Sequence, residues 1–227
     1  MNGSFSERAK KFFFEFQAPS KPGNGVEIIN PYGKENVRKI TAKFFEKFYN
    51  DNEKRIFVFG INPGRFGGGV TGISFTDPIA LKKYCGIENS LGERRELSSK
   101  FVYSVINEFG GASKFFAKFF LGAVFPLAIV KDGKNYNYYD SKILFETLKS
   151  YLLYSLEKQF ELGAEKSVII SLGKKNADYI VKLNEKAKLF DKIVYLEHPR
   201  YIMQYKSKQA DFYIEKYLRT LKNALVG

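Results

Sequence analysis

Four short runs of the chain are apolar at successive positions rather than at alternate ones, and each leads into a loop and a helical stretch. They are Arg55-Ile56-Phe57-Val58-Phe59-Gly60, Phe120-Leu121-Gly122-Ala123-Val124-Phe125, Ser167-Val168-Ile169-Ile170-Ser171-Leu172 and Lys192-Ile193-Val194-Tyr195-Leu196. A strand with one wet face alternates, whereas a strand covered on both faces is apolar throughout, which is the habit of parallel sheets between helical layers. Helices expected over 98–109, 141–161, 176–188 and 207–224 supply the covers, with Gly110-Gly111 and Gly163 where helices end. The pattern predicts an α/β fold, a three-layer α/β/α sandwich around a central four-stranded, mainly parallel sheet. In such sheets ligands gather at the carboxyl ends of the strands. The loops after the first and fourth runs are the unusual ones.

Two more helices are expected over 4–17 and 35–49, joined by a loop rich in turn formers, Pro19 to Gly25 and Asn30 to Gly33. The polar stretch from Lys131 to Asp140 reads as a second loop, with Asp140 or Ser141 placed to cap the next helix. At 227 residues the chain fits one domain, an N-terminal helical segment 1–50 packed on an α/β core 51–227. Cys85 is the only cysteine, which excludes an internal disulfide and a thiolate zinc site and suits an intracellular setting. No run approaches the roughly 18 apolar residues that cross a bilayer, and no export signal is visible, so a soluble protein without a membrane partner is expected. Lys and Arg exceed Asp and Glu by 13, a surplus that draws polyanions. The lysines are scattered, so a solvated basic surface explains the surplus as well as nucleic acid does.

The loop after the first run carries the chemistry. Gly60-Ile61-Asn62-Pro63-Gly64-Arg65-Phe66-Gly67-Gly68-Gly69-Val70-Thr71-Gly72-Ile73-Ser74-Phe75 holds six glycines in sixteen residues, which lets backbone approach a ligand closely. It lacks the Gly-Lys-Ser/Thr ending of a phosphate-binding P-loop and the spacing of a dinucleotide fingerprint. By themselves Asn62-Pro63-Gly64 make a tight turn, Phe75 is one of 23 phenylalanines destined for the core, and a lone histidine such as His198 is structural or exposed. Cys85 with His198 could form a thiol nucleophile and base, but no third orienting residue can be named.

Taken together, these segments resemble the single-strand-selective monofunctional branch of the uracil-DNA glycosylase superfamily. Gly60 to Gly67 and Thr71 to Phe75 are similar to that branch's Gly-Met-Asn-Pro-Gly-Pro-Phe-Gly and Thr-Gly-Val-Pro-Phe, with the same spacing. His198-Pro199 matches the histidine-proline after its last strand, Phe125-Pro126-Leu127 its Cys-Pro-Leu, and Lys134-Asn135 its Arg-Asn. The resemblance runs from about residue 55 to residue 206 in the same order. It implies that Asn62 positions the attacking water, that Phe75 stacks on an extruded base and that His198 hydrogen-bonds the base's carbonyl oxygen. It further implies that Ile61, Gly64 and Ala123 surround the base, and that Pro63, Arg65, Gly173, Lys174, Pro199, Arg200 and Tyr201 meet the DNA. No metal or organic cofactor is implied, and the partner is single- or double-stranded DNA bound by a monomer.

The residue types suit the reaction. Breaking an N-glycosidic bond leaves oxocarbenium character on the sugar and negative charge on the departing base, so a donor aimed at the base stabilises the transition state above the ground state. An aromatic face holds a base taken out of the stack, which costs least when that base is mispaired or single-stranded. Two departures stand out. The branch's base-reading asparagine falls at Ala123, preceded by Gly122, and neither has a hydrogen-bonding side chain. The final motif is His198-Pro199-Arg200-Tyr201 where the branch has His-Pro-Ser-Pro-Arg. The expectation is a repair glycosylase for deaminated bases, uracil first. The alternatives are the same fold acting on xanthine or hypoxanthine, and a catalytically silent nucleic-acid-binding protein.

Overall fold

In the computed structural model, which describes residues 3–226, the four apolar runs form one sheet. Its strands are β2 (Ile56–Gly60), β3 (Phe119–Ala123), β6 (Val168–Leu172) and β7 (Lys192–Leu196), all parallel in the order β3-β2-β6-β7. Successive side chains of a strand point to opposite faces, and here the two faces differ in kind. Phe57, Phe59 and Phe120 pack with Phe5 of α1 (Phe5–Glu15), Tyr49 of α2 (Glu35–Tyr49) and Phe160 of α7 (Lys142–Phe160). Val58, Leu121, Leu172 and Leu196 meet Val102 and Val105 of α5 (Leu97–Glu108) and Tyr217 and Leu221 of α10 (Ala210–Ala224). The first face is therefore dominated by rings and the second by aliphatic groups, with Phe119, Phe115 and Tyr217 among them, and each is sealed by helices.

The helix ends follow the turn chemistry. Ser141 caps α7 by accepting from the Leu144 N–H at 3.3 Å, and Gly110, Gly111 and Gly163 adopt positive φ after the helices they follow. At the amino end of the sheet the guanidinium of Arg55, 1 % exposed, is fully answered. It bonds Asp51 at 2.8 and 2.7 Å, the carbonyls of Phe116, Glu53 and Phe48, and the faces of Phe5 and Tyr49. Burying a charge costs several kcal/mol unless its donors are met, and here they are.

Several elements were not legible in the sequence. The linker between α1 and α2 contains β1 (Val26–Ile29), which pairs antiparallel with β4 (Ala128–Lys131). β4 in turn pairs with β5 (Lys134–Asn135), inside the stretch expected to be a plain loop. Strands of four and two residues give too few alternations to detect by period. The short helices α3 (Gly68–Thr71), α4 (Pro78–Cys85), α6 (Ala112–Phe116) and α9 (Pro199–Tyr205) were also unforeseen, and α8 (Lys174–Ala187) begins directly after Gly173. Among the described residues no helix is long and apolar enough to cross a membrane.

Candidate active site

The chain leaves β2 toward β3 on one side of the sheet and reaches β6 on the other, so the order reverses between β2 and β6. Those two strands pair only at Val58–Ile170 and Phe59–Ser171. Asn176 of α8, fully buried, fills the divergence: its Nδ2 donates to the Phe59 carbonyl at 3.2 Å and to Ser171 Oγ at 3.1 Å. A crevice at the carboxyl end follows from that splay. It is a narrow cleft with a cavity of about 60 Å³, bordered by the β2 loop, Phe75, Glu96, Ala123 and His198.

Asn62 is fixed at both ends of its amide. Its Nδ2 donates to the Tyr136 carbonyl at 3.0 Å, and its Oδ1 accepts from the Tyr138 N–H at 3.3 Å. That gripping segment is itself held by the small sheet through the Tyr136 N–H on the Ile129 carbonyl, 2.9 Å. The buried phenol of Tyr138 then donates to Asn176 Oδ1 at 2.8 Å. Burial pushes this phenol well above its ordinary pKa, with Tyr139 and Tyr179 adding to the effect, so it stays a donor. A carbonyl oxygen has two lone pairs, and one on Asn62 Oδ1 is left for a water.

Phe75 adopts φ 56°, a left-handed conformation that bulky residues rarely take and that stores about 1–3 kcal/mol. The surroundings enforce it. Thr71 Oγ1 donates to the Thr76 carbonyl at 2.6 Å, Thr76 Oγ1 pairs with the Tyr103 hydroxyl at 3.0 Å, and Asp77 caps α4 through Ala80 N–H at 2.8 Å. The ring lies over Gly60, where a Cβ would come within 2.5 Å of it. Any residue but glycine at the end of β2 would push the ring out of the cleft. Ala123 is the register partner of Gly60 on β3, and its own carbonyl is occupied by Gln159 Nε2 at 2.9 Å.

His198 is the N-cap of α9, and its Nδ1 accepts the Arg200 N–H at 3.1 Å. A nitrogen that accepts carries no proton, so the neutral ring keeps its hydrogen on Nε2. Burial, and secondarily the Arg200 guanidinium, lower its pKa to about 4. The ring stands 6.0 Å from that of Phe75, centroid to centroid, tilted by 46°. The site therefore offers a neutral donor beside an aromatic face.

Of the residues expected at the site, Asn62, His198, Ile61, Pro63, Gly64, Phe75, Ala123 and Arg200 line the cleft together. Gly173 is its neighbour, 3.8 Å separating an added Cβ there from His198 Cβ. Arg65, Lys174, Pro199 and Tyr201 do not line it. Arg65 lies over the Phe66 ring at 4.3 Å, with Arg94 over the same ring at 4.5 Å, forming a cationic patch on the loop that follows β2. Cys85 is buried away from the cleft against the Tyr103 hydroxyl, 3.1 Å, and burial pushes its thiol up to about 11. That disposes of a thiol nucleophile. Glu96, Ser98, Asn137, Tyr138 and Asn176 escaped sequence reading because none sits in a motif. Only the helix onset after Glu96 marked that residue.

The uracil DNA glycosylase superfamily model matches residues 46–222. The crystal structure of SMUG2 from Pedobacter heparinus superposes with a TM-score of 0.94 at 39% identity, covering 99% of this chain and 99% of that one. Against curated protein sequences the chain has no significant match. The match spans the loop of Asn62 and the strand end of His198 alike, and the chain belongs to the uracil DNA glycosylase superfamily.

Proposed function

We propose that in this monofunctional uracil-DNA glycosylase Asn62 orients the attacking water and His198 stabilises the departing base. The base is swung out of the DNA into the cleft and stacks on Phe75. Water held by Asn62 Oδ1 adds to C1′ as the glycosidic bond breaks, and the proton it sheds ends on the departing base. The bonding pair leaves with the base, and the Nε2–H of His198 bonds the carbonyl oxygen on which that charge gathers. The observation that carries this reading is the Arg200 N–H on His198 Nδ1, because it fixes the tautomer that donates into the cleft. A histidine with its pKa near 4 is neutral at working pH, so it donates a hydrogen bond without placing a full charge in the site. Asn62 is a weak base, which leaves most of the work to leaving-group stabilisation.

Ile61, Gly64 and Ala123 border the base. Pro63, Arg65, Gly173, Lys174, Arg200 and Tyr201 form the DNA-facing rim, supported by the cationic patch and by the 43 % exposure of Tyr201, whereas Pro199, expected there too, is buried in the first turn of α9. Asn62, Phe75 and His198 come from one chain, which suits a monomer, and a lone buried Cys85 suits an intracellular enzyme. The test uses labelled oligonucleotides with uracil, xanthine or hypoxanthine, single- and double-stranded, followed by alkaline cleavage of abasic sites. Asn62→Ala and His198→Ala are each expected to slow base release at least about tenfold while the fold is retained, with melting lowered only by the lost hydrogen bonds. Wild-type rates in both variants would remove the assignment.

A further inference from the structure

Glu96 is an acid in the base cleft that the reaction so far does not use. It occupies the N-cap position of α5, yet its side chain caps nothing. Its own N–H is held by Asp77 Oδ2 at 2.9 Å, which fixes the backbone. The carboxyl reaches across to the catalytic loop and lodges in two glycine notches. A Cβ at Gly64 would lie 1.9 Å from Oε1, and one at Gly67 would lie 1.7 Å from Oε2. Among the described residues neither oxygen has a hydrogen bond or an ion pair, although the group lines the same cleft as Asn62, Ala123 and His198. The contrast with Arg55, whose every nitrogen is answered, is informative. Arg55 is sealed from solvent and has to be answered within the fold, whereas Glu96 is part-exposed and its oxygens, unpartnered within the protein, stay open to groups that enter the cleft.

We propose that the Glu96 carboxyl hydrogen-bonds the polar edge of the extruded base, taking over the reading that Ala123 cannot perform. This rests on the reading of the cleft as the base site. The charged groups around Glu96 are Asp77, at the cap of α4, and Arg200, on α9, with neutral His198 at the head of that helix; the catalytic loop presents glycine backbone. Burial and Asp77 push the carboxyl up to about 7, against the pull of Arg200. Below neutral pH the group is then largely an acid with one O–H donor and one carbonyl acceptor, the same pair an amide offers. Uracil, hypoxanthine and xanthine each present an N–H beside a C=O, which such a pair meets. Either oxygen can carry the proton, so the carboxyl adapts to rings of different size. Above its pKa it loses the donor and sets a negative charge beside a departing anion, and both changes slow the reaction.

The experiment is single-turnover base release from single-stranded oligonucleotides carrying uracil or hypoxanthine, between pH 6 and pH 9, for wild type, Glu96→Gln and Glu96→Ala, with His198→Ala as reference. Glu96→Ala is expected to lose about tenfold or more on both bases. Glu96→Gln, which keeps donor and acceptor but cannot ionise, is expected within about threefold of wild type at pH 6 and level to pH 9, while wild type falls up to about tenfold per unit above its pKa. Wild-type rates in Glu96→Ala, or a Glu96→Gln enzyme that is as slow as Glu96→Ala or keeps the wild-type fall with pH, would overturn the proposal. If Glu96→Ala matches wild type while His198→Ala is slow, the cleft remains the base site and only the role of Glu96 is lost; if His198→Ala is as fast as wild type, the reading of the cleft itself fails and this proposal with it.

Discussion

The two ends of the cleft are built on opposite plans. Asn62 is clamped through bonds to residues 74 and 76 positions away, and that clamp leads on through Tyr138 to Asn176 and the carbonyl of Phe59. His198 is set by its own helix, through an N–H two residues ahead, just past the edge strand β7. The difference suits the tasks proposed for the two residues. A water has to be held at a fixed spot relative to C1′, which demands a rigid support. A hydrogen-bond donor to the base needs a fixed tautomer and the correct face, and one local bond supplies both.

The largest effect should come from the locally built end. Losing a preorganised donor at developing charge costs about 10²–10³ in rate, so His198→Ala is expected to fall furthest in single-turnover base release, with KM little changed. A drop in Asn62→Ala that exceeds it would reverse the weighting of leaving-group stabilisation over water activation. Next comes stability against pH. His198 titrates near 6.5 when unfolded and near 4 when folded. Between those values the unfolded chain binds a proton that the folded one does not. Stability due to this group is therefore complete above 6.5 and is lost as pH falls toward 4, by on the order of 3 kcal/mol. Urea midpoints at pH 7 and pH 4 for wild type and His198→Asn check this: the variant should lose less on acidification by that amount.

The same contrast explains what could be read in advance. His198-Pro199 and Asn62-Pro63-Gly64 are contiguous motifs, and the four buried strands announce themselves by unbroken apolar runs, so the sheet, its helical layers and the two ends of the site were all visible. The clamp on Asn62 was not. It depends on β1 finding β4 across about a hundred residues of chain and on Tyr138 meeting Asn176, pairings that no local period encodes. Gly60 also looked like one more loop glycine until the Phe75 ring was seen lying where its side chain would be.

Tyr138→Phe probes the long-range clamp with a single atom. It leaves Asn176 Oδ1 buried without its donor, which costs about 1–2 kcal/mol of stability. If the clamp also positions Asn62, base release should slow by about threefold to tenfold while the pH dependence assigned to His198 stays in place. A variant destabilised by that much with wild-type kcat would mean that the clamp supports the fold alone and that Asn62 is held well enough by the backbone of Tyr136 and Tyr138.

The smallest expected effect lies outside both ends, on the patch where Arg65 and Arg94 flank Phe66. Cations held over an aromatic ring are oriented without being neutralised, and among the described residues no carboxylate pairs with either guanidinium, so both are free to meet phosphate. A phosphate contact carries no base information: removing it should weaken binding equally for uracil-containing and undamaged DNA. Arg94→Ala is expected to raise Kd a few-fold and to reduce the slope of log K against log salt by roughly one ion, or somewhat less on single strands. Single-turnover rates at saturating DNA should be unchanged, because Arg94 lies outside the cleft. An unchanged salt slope would place the DNA path elsewhere, toward Lys174 and Arg200 on the His198 side, and make the locally built end the one that also grips the strand.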